Sequence, residues 1–180
     1  MRTAVIALVL VTMALPAMAQ SENFQIYFDD TYNQAAADCP GVGVLDTLYV
    51  VANNFNMWIS AAEFAVSLPP QLQWIADMPN TPLAIGNTQS GVAYSWQLPQ
   101  NGFAPFEATR ILVSWNCDDC VGAQNSPVVV IPHPVTTHAR VSRFPDNVLV
   151  DGIGMTSLVC ATVPVEETSW GKLKALYNVD

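Results

Sequence analysis

Positive charge is scarce in this chain. Lys and Arg together number 6, against 15 Asp and Glu, in 180 residues. No segment groups basic side chains, so nucleic acid is not an expected partner: neutralising a phosphate backbone takes clustered Lys and Arg. Histidine is limited to His133 and His138. There is no HxxxH and no second Cys-x-x-Cys pair, which removes the common zinc frameworks. The serine-nucleophile pattern GxSxG is absent as well. Gly152-x-Gly154-x-x-Ser157 only approaches the dinucleotide fingerprint and has no helical pattern after it. Beyond residue 15 no apolar run reaches the roughly 20 residues a membrane-spanning helix needs, so an integral membrane protein is not expected. Charged residues make up only 12% of the chain, so Asn, Gln, Ser and Thr must supply much of the polar surface.

What is present begins with a leader. Arg2 precedes an apolar run from Ala4 to Leu15, interrupted only by Thr12 and stopped by Pro16, and Ala17-Met18-Ala19 is a small-x-small cleavage pattern. This is the layout of a secretory signal peptide over residues 1–19. The expected location is therefore periplasmic, secreted or at the cell surface. The four cysteines, Cys39, Cys117, Cys120 and Cys160, then fall in an oxidising compartment, where an even count implies disulfides. Of the three possible pairings, Cys117–Cys120 as a local clip and Cys39–Cys160 as a long-range staple is the expected one.

Alternating apolar residues mark strands along the chain. Phe24, Ile26 and Phe28 form the first such set and Thr47 to Ala52 the second, which Asn53-Asn54-Phe55-Asn56 breaks because Asn tolerates positive φ. Trp58 to Leu68 alternates most strictly. Its Ala and Glu content would also suit a helix, but Pro69-Pro70 and the period favour a strand with Trp58, Ser60, Ala62, Phe64, Val66 and Leu68 on one face. Gln71 to Ile85, punctuated by Pro79 and Pro82, is expected to be irregular, with Trp74 and Ile75 plugging the core edge. Val92 to Trp96 is another strand. The stretch from Ala108 to Ile131 is expected to be a hairpin, two strands joined by a knuckle that carries Cys117-Asp-Asp-Cys120. Ala139 to Phe144, Asn147 to Asp151 and Ile153 to Cys160 follow. At the end the period changes: Trp170, Leu173, Leu176 and Tyr177 share one helical face, with Ser169 as N-cap. The expectation is an all-β protein: an antiparallel β-sandwich of about 8–9 strands over residues 20–168, with a short C-terminal helix over 169–180 packing on it.

Candidate chemistry is thin. Cys117-x-x-Cys120 would suggest a redox dithiol in another setting. Here no helix N-terminus lowers the thiol pKa, and Asp118 and Asp119 would raise it by like-charge repulsion. With His133 the two sulfurs could hold zinc or copper, which defines the alternative reading of a small periplasmic metal- or redox-handling protein. Paired carboxylates, Asp29-Asp30 foremost, are the oxygen ligands calcium prefers on loops. Trp74, in the Pro-rich stretch, is the tryptophan best placed to stack on a ligand. Ligand-binding candidates are thus Trp74, Asp29 and Asp30, with Ca2+ the only cation the main reading admits and no other cofactor expected.

Several segments carry a family resemblance. Phe24-Gln-Ile-Tyr-Phe-Asp-Asp, Ile59-Ser-Ala-Ala-Glu-Phe, Val-Ile-Pro-His-Pro over 130–134, Gly-Met-Thr-Ser over 154–157 and Ser169-Trp-Gly-Lys-Leu-Lys-Ala-Leu-Tyr resemble a family of uncharacterised exported bacterial proteins. These open on a YFD-type strand and close on a TWGxxKxLY-type segment. The first half also loosely resembles cohesins and other Ig-like sandwiches. That resemblance implies binding or scaffolding. The leader, the strand pattern and the lack of a catalytic constellation lead to the same expectation: a non-enzymatic exported module that binds a cell-surface protein, an extracellular assembly or a polysaccharide.

Overall fold

The computed structural model describes residues 21–81, 83–117 and 125–160. Five strands, β1 (Asn23–Tyr27), β3 (Leu45–Asn53), β5 (Leu72–Pro79), β8 (Phe106–Trp115) and β12 (Ile153–Gly154), form one sheet in the order β12-β1-β3-β8-β5. The second sheet runs β11-β10-β4-β9-β13-β2. Its members are β2 (Ala36–Ala37), β4 (Trp58–Ser67), β9 (Ser126–Ile131), β10 (Arg140–Arg143), β11 (Leu149–Asp151) and β13 (Thr156–Val159). β7 (Gly91–Asn101) also pairs with β4, and β6 (Leu83–Asn87) pairs with β7. Among the described residues pairing is antiparallel except for two short parallel contacts, β1 with β12 and β13 with β2.

The expected sandwich is present, and its core follows from strand alternation. Phe24, Ile26, Leu48, Val50, Ile111, Val113 and Trp115 of the first sheet are buried against Phe64, Val66, Tyr94, Val128, Val130 and Val141 of the second. Each large apolar side chain so placed contributes about 1.5–3 kcal/mol. Phe24 is central, with its ring 5.3 Å from Phe55 and 5.2 Å from Phe64. The buried Tyr94 hydroxyl donates to Thr109 Oγ1 at 3.1 Å, and burial pushes that phenol well above its ordinary range. Asn54 and Asn56 adopt positive φ, as the break after β3 requires.

Four expectations are corrected. The stretch from Ala108 to Ile131 is not a hairpin: β8 lies between β3 and β5 in one sheet, while β9 pairs with β4 and β13 in the other. Over Ile111–Trp115 and Val128–Val130 alternate residues are buried, a pattern that a sheet-to-sheet crossing satisfies as well as a hairpin does. Second, the Pro-punctuated stretch from Gln71 to Ile85 contains β5 and most of β6. β5 is an edge strand, where Pro79 can sit at the end without disrupting a ladder, and a bulge between Trp74 and Ala76 breaks its alternation. Third, the single face expected for Trp58 to Leu68 is split. A bulge between Ile59 and Ala61 turns Ile59 inward, fully buried, and leaves Trp58 49% exposed. One irregularity is enough to exchange faces because the side-chain period is two. The fourth correction concerns the disulfides. Cys39 is bonded to Cys117 with a Cα–Cα separation of 6.4 Å, which excludes both expected bridges. Sequence spacing carries no information on which strand ends the sheets bring together. Cys160 is disulfide-bonded as well; Cys120, the leader over 1–19 and the expected helix over 169–180 lie outside the described residues.

Asp77 fastens β5 to the turn after β6. Its carboxylate accepts the Thr88 amide at 2.7 Å, the Thr88 hydroxyl at 2.5 Å and the Trp74 indole N–H at 3.1 Å. The Thr88 carbonyl in turn accepts the Val66 amide at 2.7 Å, joining β4 to the same node. Thr88 is fully buried, so removing the carboxylate strands two donors. Asp77→Ala is expected to destabilise the fold by about 2–3 kcal/mol, as read by urea denaturation. Asp77→Asn, which keeps an acceptor oxygen, should lose less.

Candidate functional site

The register of β6-β7-β4-β10-β11 defines one outward-facing surface. Directly paired residues project to the same side of a sheet. One row across it is therefore Ile85, Ala93, Glu63, Arg140 and Asp151, and the next is Leu83, Ser95, Ala61, Ser142 and Leu149. The row between them, with Tyr94, Ala62 and Val141, is buried in the core. Small side chains occupy the middle of the outer rows and large apolar ones their ends: Leu83 and Ile85 on β6 and Leu149 on β11 are all exposed. The result is a shallow depression of about 100 Å³ with Ala61, Ala93 and Ser142 at its floor and Glu63, Arg140 and Leu149 on its rim.

Charges on this face are already paired. Arg140 Nε lies 2.5 Å from Glu63 Oε1, both largely buried. His138 Nδ1 is 3.1 Å from Asp151, and Arg143 grips Asp146 through Nε and Nη2. That grip holds the Asp146 carboxyl below its usual range and raises the Arg143 guanidinium. With Glu63 and Asp146 each held by an arginine, much of the remaining contact area of the face is apolar. At the foot of β4, Trp58 meets Phe103 edge-on at 6.3 Å, and Phe144 donates its amide to the Trp58 carbonyl at 2.8 Å. All three rings are exposed.

The sequence-derived candidates do not converge. Asp29 closes its own turn: its carboxylate accepts the Thr31 hydroxyl and the amides of Asn33 and Gln34. These bonds, the Thr31 hydroxyl first, lower its pKa, and the lone pairs a cation would use are occupied by N–H and O–H donors. Asp30 is exposed beside it. Of the set Cys117, Cys120 and His133, Cys117 is spent in its bridge to Cys39, and a disulfide sulfur is not a thiolate ligand; Cys120 lies outside the described residues. The His133 ring sits against Gly91, so close that a Cβ there would meet Nε2 at 2.7 Å, and its Nδ1 accepts the Val135 amide at 3.2 Å. Among the described residues no three His, Cys, Asp or Glu side chains gather as metal ligands. Trp74 lines a concavity where β4 gives way to β5. The outer face itself leaves no signal in the sequence, since its rows come from five strands and exist only once the register is known.

No family model and no curated protein matches this chain. Solved structures similar to it include two cohesins. The third ScaB cohesin of R. flavefaciens, in complex with a group 1 dockerin, is 12% identical with a TM-score of 0.48, covering 78% of this chain and 96% of the cohesin. The seventh ScaB type I cohesin from Pseudobacteroides cellulosolvens is 12% identical with a TM-score of 0.47, covering 81% and 96%. The sandwich itself stands on this chain's own sheets, and no property of either cohesin is carried over.

Proposed function

We propose that this chain is an exported, non-enzymatic binding module that holds a protein partner on the outer face of β6-β7-β4-β10-β11. The observation that carries this reading is the face itself: a floor of small residues, internally paired charges, and exposed Leu83, Ile85, Leu149, Trp58, Phe103 and Phe144 around it. Large exposed apolar groups gathered on one sheet face mark interaction surfaces, and aromatic anchors beside small-residue floors are what partner side chains fill. Export is supported by the leader pattern of residues 1–19 and by the bridge between Cys39 and Cys117, since structural disulfides persist in oxidising compartments.

Site-specific photocrosslinking in the native host tests the reading. A benzophenone side chain at Ser95, on the face, is expected to yield a discrete protein adduct. The same group at Thr47, on the other sheet, should yield none. Introducing Ala61→Arg on the floor should abolish the Ser95 adduct while leaving the thermal midpoint within about 2 °C, as surface changes usually do. Equal labelling from both positions, or no adduct from Ser95, would refute it.

A further inference from the structure

A second concavity lies where β4 ends and β5 begins. It encloses about 630 Å³ and is lined by Leu68, Leu72 and Trp74 together with Gln73, Gln89 and Asn116. That volume falls within the roughly 300–1,000 Å³ typical of small-molecule sites, which combine apolar walls with a few convergent polar groups. No lining residue carries a charge. This is part of a wider pattern, as residues 78–106 contain no Asp, Glu, Lys or Arg at all.

The lining divides by chemistry. Trp74 is half-buried, packed against the core on one side and bordering the cleft on the other. Its indole N–H is fixed on Asp77 at 3.1 Å, and Asp77 is itself anchored on Thr88, so the ring is held in place without a ligand. The three amide side chains make no hydrogen bond to any described residue. An amide presents a donor pair and an acceptor together, which suits the vicinal hydroxyls of a sugar. An aromatic ring beside them suits the C–H face of a pyranose, apolar on one side and polar at its edge. A charged ligand would find no counter-ion among the lining residues.

We propose that this cleft is a binding site for a neutral saccharide, with Trp74 as the stacking platform and Gln73, Gln89 and Asn116 as the hydroxyl-reading groups. The site is independent of the partner-binding face, sharing no residue with it, so a module of this kind could hold a glycan and a protein at once.

Isothermal titration of the oxidised protein with cellotetraose, xylotetraose, mannotetraose and chitotetraose is the test, with tetragalacturonate as the charged control. At least one neutral tetrasaccharide is expected to bind and to quench tryptophan fluorescence, and the galacturonate is expected not to bind. Trp74→Ala should weaken that affinity about tenfold, the loss of one stacking contact, while Trp74→Phe retains most of it. Gln73→Ala and Gln89→Ala, both at exposed rim positions, should each weaken binding severalfold with no change in thermal midpoint, so the test does not depend on Trp74→Ala folding. Trp58→Ala should leave saccharide binding untouched. The proposal fails if no neutral tetrasaccharide binds, if binding is indifferent to the Gln73 and Gln89 substitutions, or if the galacturonate binds equally well. None of these results bears on the crosslinking at Ser95.

Discussion

Replacing Cys39 and Cys117 together by serine is expected to lower the thermal midpoint by about 10–15 °C. The bridge spans a sequence separation of 78 residues, and in the chain-entropy model such a loop removes about 4–5 kcal/mol of freedom from the unfolded chain. For a chain of this length each kcal/mol moves the midpoint by about 2–4 °C. The position of the bridge adds a native-state argument. Cys39 follows β2, the edge strand of the larger sheet, and Cys117 follows β8, inside the smaller one. The bond therefore ties the two sheets at one end of the sandwich, where β2 holds by only two residue pairs to β13. The double variant avoids an unpaired thiol that could reshuffle with the remaining cysteines. A midpoint that fails to move, in the variant or on reduction of the native protein, would mean the sheets are held at that end without the bridge.

The all-β architecture is legible in the sequence because apolar residues alternate over β1, β7 and much of β3 and β4, although Val50–Asn53 and Phe64–Val66 are buried on both faces. What the sequence hides is everything decided by a single irregularity or by pairing between distant strands. The bulge at Ile59–Ala61 reverses the inward set at the start of β4 and converts Trp58 from an expected core residue into an exposed anchor. The bulge at Trp74–Ala76 disguises β5 as a loop, although Trp74 itself stands out by its chemistry. The outer face is invisible for a different reason. Ala61, Ala93 and Ser142 carry no signal individually, and only the register sets them side by side. The expected disulfide pairing fails on the same point, since proximity in sequence favours Cys117–Cys120 while sheet topology brings Cys39 to Cys117.

Gly154→Ala is expected to be among the most damaging single substitutions in the chain, costing about 3 kcal/mol or more and lowering the midpoint by about 6–12 °C. Residues 153–159 carry the chain from one sheet to the other: Ile153 and Gly154 pair with Asn23 and Phe24 of β1, and Thr156 to Val159 pair with β9. The Met155 amide donates to the Phe24 carbonyl at 2.7 Å, which holds the crossing tight against β1. On its other side a Cβ at position 154 would overlap the Val130 carbonyl oxygen and lie 2.8 Å from the Val130 carbonyl carbon. Both obstacles are backbone, so no rotamer change relieves them and either β9 or β12 must shift. Val130 is 2% exposed and packs in the core beside Phe24, so a shift of β9 would open the core as well. Gly43→Ala separates this effect from a generic glycine penalty. Gly43 has φ +77°, but a Cβ added to it would meet nothing within 4 Å, so its substitution should cost only the left-handed strain of about 1–2 kcal/mol. If the two variants melt together, the contact between Gly154 and Val130 is not what requires a glycine at the crossing, and the seam between the sheets is looser than its hydrogen bonds imply.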